Sequence, residues 1–222
     1  MALNFSELHR SVKFSDVTLR FGGREVHAHK LVLAWQSKYF EREFFGSFSE
    51  ASSKVVELHD DDPDAMDGVI AALCGAASHG IAWFEERYSQ TYDAEGRFEG
   101  HYMLYLVNLR IAWSKYMVQH APDKIMAPFE DALSAQPFEW PALVRHVYTT
   151  HAEAARVFRA PIVAHCAASG NDLRILTGGS AGRDLLLEVP QFAVDLLATL
   201  AEVKGMKRYI GSGVKKTAPQ TK

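Results

Sequence analysis

The sequence predicts an α+β fold, with a small sheet and a cluster of helices in the first part and only helices after it. Three observations predict this. Residues Val17 to Ala28 alternate apolar and polar on either side of Gly22-Gly23, the period-2 pattern of two half-buried strands joined by a tight turn. From Lys30 the apolar residues recur at spacings of three and four, the helical period. After Pro137 the pattern stays helical.

The elements follow in order. Val17 to Phe21 and Arg24 to Ala28 form a hairpin that turns at Gly22-Gly23, a pair tolerant of positive φ, with Val26 and Ala28 on the buried face. Leu31, Leu33 and Ala34, then Tyr39, Phe40, Phe44 and Phe45, mark two helices that meet at Gln36-Ser37, where the serine caps the second. Val55 to Leu58 is a short strand. Asp60 to Asp62 runs into Pro63, a residue suited to the first helical turn, and Met66, Val69, Ile70 and Leu73 then fall on one helical face. Residues 76–101 are irregular and punctuated by Gly80, Gly96 and Gly100, as an insertion would be. A helical stripe returns at Leu106, Leu109, Trp113 and Tyr116, and another at Ile125, Met126, Phe129 and Leu133. Leu143, Val144, Val147 and Tyr148 form the next. Val157, Ile162, Val163 and Cys166 follow, with Pro161 read as an interruption. Gly178, Gly179 and Gly182 mark a loop, and Pro190 opens a last helix bearing Leu196, Leu197, Leu200 and Val203.

Composition narrows the function classes. At 222 residues the chain holds one large domain or two small ones, and 48% hydrophobic content is that of a globular protein. A net charge of −3 gives no general attraction to nucleic acid or anionic membrane. From Lys204 on, basic residues stand without any acidic one, in a Gly-, Ser- and Thr-containing stretch read as a solvated tail in preference to a localisation or phosphate-binding signal. Cys74 and Cys166 are isolated, which suits a reducing compartment. No apolar leader precedes Lys13, and no uncharged apolar run is long enough to span a bilayer. The expected location is intracellular, in the cytoplasm or the nucleus.

The strings Ser15-Asp16-Val17-Thr18-Leu19, Gly22-Gly23, Val26-His27-Ala28-His29-Lys30-Leu31-Val32-Leu33-Ala34 and Ser37-Lys38-Tyr39-Phe40 closely resemble the BTB/POZ family. The likeness continues through Phe48-Ser49-Glu50, Val55 to Leu58 and Asp61 to Ala65, and resumes at Ala112 to Val118. It implies a small mixed sheet flanked by helices over residues 1–135, with the insertion at 76–101. Residues 136–203 then form a helical extension, similar to that of BTB proteins numerous in fungi, and 204–222 a basic flexible tail. Cys74-Gly75-Ala76 departs from the Tyr-Thr-Gly usual in the family, and with the insertion that follows it a different surface is expected at that edge.

No motif argues for catalysis, cofactor binding or metal binding. His27 and His29 share a strand face, but no third ligand lies at supporting spacing. Asp60 to Asp64 lacks the spacing of a calcium loop and is read as helix capping. The run Gly178 to Arg183 lacks the lysine of a phosphate-binding loop, and no nucleophile elbow is present. The four tryptophans lack interleaved basic residues and are read mostly as core or interface.

The resemblance instead implies a non-enzymatic protein-interaction module. BTB adaptors that recruit a cullin scaffold carry an apolar-x-acidic triplet where this chain has Phe48-Ser49-Glu50, so Phe48 and Glu50 are the expected cullin contact in a ubiquitin-ligase adaptor. In that reading the client binds the C-terminal helices or the insertion. The alternative is a self-associating scaffold or transcription-related regulator without a ligase link, although too few cysteines are present for the zinc finger that often accompanies a transcriptional role. Asp16 and Lys30 match positions that form a buried charged pocket at the interface of BTB homodimers. The short N-terminal segment, with a helix read at Phe5 to Leu8, leaves monomer and homodimer both open.

Overall fold

The computed structural model describes residues 6–46, 53–74, 101–119, 122–135, 140–168 and 180–203. The insertion up to residue 100, the tail from 204, Gly178-Gly179 and the Phe48-Ser49-Glu50 triplet lie outside the described residues.

A three-stranded mixed sheet forms in the order β2-β1-β3. Strand β1 (Val17–Phe21) pairs antiparallel with β2 (Arg24–Ala28), Leu19 opposite Val26, and parallel with β3 (Val55–Glu57), Leu19 opposite Val56. The turn between β1 and β2 uses Gly22 and Gly23 at φ of 50° and 77°, conformations that a side chain resists. A Cβ at Gly22 would also clash with the Pro63 ring. Val17, Leu19, Phe21, Val26 and Ala28 all face the core, as the alternation predicts.

Two short helices make the crossover to the parallel strand. Helix α1 (Lys30–Gln36) and helix α2 (Lys38–Phe45) meet at Ser37, whose Oγ accepts from the Phe40 backbone N–H at 3.1 Å, the expected cap. Leu31 and Phe45, expected on the buried stripes, are exposed: α1 packs on α2 and on the helix Pro63–Leu73 and buries only Val32 and Leu33, and α2 buries only Phe40 and Phe44.

Helix α3 (Pro63–Leu73) is capped by Asp62, whose carboxylate accepts from the Ala65 N–H at 2.8 Å. Every residue from Ala65 to Leu73 is buried, so α3 is a central helix and not a half-exposed one. Gly68 allows helix α4 (His101–Lys115) to approach, since a Cβ there would sit 2.5 Å from Tyr105 Oη and 2.7 Å from Leu109 Cδ1. Leu106, Leu109, Trp113 and Tyr116 are all buried as the stripe predicts.

Helix α5 (Met126–Ala135), α6 (Trp140–Thr149), a 3-10 helix (Glu153–Phe158), α7 (Arg159–Ala168), α8 (Ser180–Glu188) and α9 (Pro190–Val203) follow. Pro161 does not interrupt α7. It occupies the first turn, where its missing N–H has no intrahelical partner to lose. Gly182 is likewise helical, within α8, and not in a loop. The extension shares the core of the first part: the Phe129 and Phe158 rings lie 4.5 Å apart, and Leu143, Val144 and Val147 join the same continuous apolar cluster.

His146 of α6 sits at this seam, its Nε2 2.6 Å from Asn108 Oδ1 of α4. Burial holds its pKa below the ordinary 6.5, only partly offset by Asp62. The neutral ring therefore suits the folded state, and the unfolded chain binds the extra proton as pH falls through 6.5. Stability is expected to be full above that pH and to drop below it. Thermal melts should show a weaker acid dependence in His146→Gln than in the parent, with burial of His165 contributing in the same direction.

Candidate protein-interaction surfaces

The first surface is built on the segment that precedes β1. Arg10 donates to Asp67 Oδ1 at 2.8 Å, the Lys13 carbonyl lies 2.8 Å from His29 Nε2, and Asp16 Oδ1 accepts from the Lys30 backbone N–H at 2.8 Å. These contacts fasten residues 10–16 as a strap over α3 and the start of α1. His29, the residue at the N-cap of α1, makes no side-chain cap of its own, so Asp16 supplies it from fourteen residues away. A carboxylate also suits the positive end of a helix.

Asp16 and Lys30 are thus brought together, through the Asp16 carboxylate and the Lys30 backbone N–H. Asp16 is exposed and bonds the Lys30 backbone, while the Lys30 ammonium lies 5.4 Å from the centre of the Phe44 ring. At that distance the ammonium is within reach of a cation–π attraction to the ring. His27 and His29 serve the fold as well: His27 Nδ1 lies 3.3 Å from Thr18 Oγ1, and His29 bonds the strap. Among the described residues no cluster of His, Cys, Asp or Glu is placed to hold a metal. Burial pushes the thiols of Cys74 and Cys166 up to about 11 and about 12, which keeps them protonated and poor nucleophiles.

The strap and α1 carry a set of exposed apolar side chains that the sequence reading did not single out. Val12 and Phe14 of the strap are 65% and 80% exposed, and Leu31 and Trp35, one helical turn apart, are 69% and 60% exposed. The strap's contacts to His29 and Lys30 set Val12 and Phe14 beside the first turn of α1. Phe14 also holds a left-handed φ of 63°, a conformation that costs free energy in any residue with a side chain. Trp35 is accordingly an exposed residue, whereas Trp113 is fully buried. The signal available in the sequence was the composition of Lys30 to Gln36, too apolar for a helix with only one buried face.

A second region lies where α2 ends and β3 begins. Phe48 and Glu50 fall in this connection, outside the described residues, so their side-chain surroundings are not part of the geometry. The described flanks are firmly fixed. Phe40 stacks on Phe44 and on Tyr116 at 5.5 Å each. On the β3 side, Asp61 accepts from Tyr116 Oη at 2.6 Å and from Lys115 Nζ at 2.9 Å. Burial and this bond raise the Tyr116 pKa, so the phenol stays a donor. Asp61 therefore acts as a tie between the β3–α3 loop and the end of α4, while Asp62 alone of the acidic run caps the helix.

Comparison with known proteins agrees with this architecture. Residues 5–73 match the family model for the BTB/POZ domain. Similar proteins include Kelch-like protein 30 of Homo sapiens, 46% identical over 56 residues, which are 25% of this chain and 10% of that protein. Trishanku of Dictyostelium discoideum is 39% identical over 62 residues, 28% of this chain and 9% of that protein. Kelch-like protein 21 of Rattus norvegicus is 44% identical over 62 residues, 28% of this chain and 10% of that protein. Residues 5–73 thus resemble a BTB/POZ domain, a class of domain that binds other proteins, and the helices that follow share their apolar core. The matches span about a tenth of the length of these curated relatives. No helix among the described residues is long and apolar enough to cross a membrane.

Proposed function

We propose that this protein-interaction module is a substrate adaptor for a cullin-based ubiquitin ligase. The observation that carries the reading is the triplet Phe48-Ser49-Glu50 in the connection between α2 and β3 of a BTB/POZ domain. An aromatic anchor can fill an apolar pocket of the cullin while a carboxylate two residues on makes a directional contact at its rim. The helical extension from residue 136 to 203, or the insertion, takes the client. Calorimetric titration with the N-terminal region of a cullin tests this. Binding at micromolar affinity or tighter, lost in a folded Phe48→Ala variant, is expected; no heat at several temperatures overturns it.

A second reading, self-association as a scaffold or as a homodimeric adaptor, is favoured by the exposed apolar side chains of α1 and the strap. Isolated exposed apolar residues are ordinary, but several on adjoining elements suit an interface. Leu31→Glu combined with Trp35→Glu is expected to convert dimer to monomer in sedimentation velocity at micromolar concentration. Both sites are exposed, so stability should change by no more than about 0.5 kcal/mol per site. An unchanged sedimentation coefficient contradicts the use of this face.

A further inference from the structure

We draw no further inference here: the strongest candidate, the surface patch that the exposed side chains of Val194 and Leu197 form one turn apart on α9, carries nothing, because nothing in the structure shows what covers it.

Discussion

Replacing Ser37 with alanine is expected to destabilise the protein by about 2–4 kcal/mol, although only one oxygen atom is removed. Ser37 is fully buried between α1 and α2. Its Oγ accepts from the Phe40 N–H at 3.1 Å and donates to the Tyr116 carbonyl at 2.6 Å. The substitution removes a helix cap and at the same time strands a carbonyl at the end of α4. Two further links run beside it, a bridge between Ser37 and Val118 and a bond from the Gln119 N–H to the Gln36 carbonyl at 3.0 Å. The α1–α2 pair, which leads toward the Phe48 segment, is therefore held to α4 through this one hydroxyl and its neighbours. Chemical denaturation of Ser37→Ala beside Ser114→Ala, an exposed serine expected to change stability by no more than about 0.5 kcal/mol, measures the difference. Equal midpoints would remove Ser37 from this role.

Asp67→Ala carries the other large effect, about 2–3 kcal/mol. The Asp67 side chain is 2% exposed and accepts from Arg10 Nη2 at 2.8 Å and Arg24 Nη1 at 2.7 Å. Removing one partner of a buried ion pair costs roughly 3–5 kcal/mol. The expected loss is smaller here because Arg24 keeps Asp64 at 2.6 Å and the Pro63 carbonyl at 3.0 Å, and Arg10 can turn to water. The substitution also releases the strap from α3, so amide exchange is expected to quicken at residues 10–16 before it does in α3. Arg10→Ala should open the strap at a smaller cost, and the two substitutions together should cost less than their sum. Additive losses, or an unchanged exchange rate in the strap, would contradict the arrangement.

These two residues differ in how legible they were. Ser37 lies where the helical spacing breaks between Leu33 and Tyr39, so local pattern alone marks it as a cap. The hairpin at Gly22-Gly23 and the stripes of α3 and α4 are local in the same way and are read correctly, whereas the capping read for the whole run Asp60 to Asp64 narrows to Asp62. Asp67 looks like the polar face of an amphipathic helix, yet α3 is buried all round, and its partners lie 57 and 43 residues away. No periodicity encodes such a pairing. Gly182 was misread because a glycine weighs toward a loop, while the packing of Leu185 and Val189 decides for a helix.

The interaction surfaces divide along the same line. Phe48 and Glu50 rest on a sequence motif. The exposed set of Val12, Phe14, Leu31 and Trp35, by contrast, emerges only when the strap's contacts with His29 and Lys30 place it beside α1. Asp16 shows the intermediate case. Its proximity to Lys30 was legible from the resemblance, but the bond goes to the backbone and serves the helix N-terminus.

The adaptor reading is tested most directly by sedimentation velocity of the full chain mixed with the N-terminal region of a cullin at micromolar concentration. One faster boundary containing both proteins is expected, returning to the separate components when Glu50→Arg replaces the parent chain. Two independent boundaries for the parent chain, with the same protein folded by circular dichroism, would contradict it.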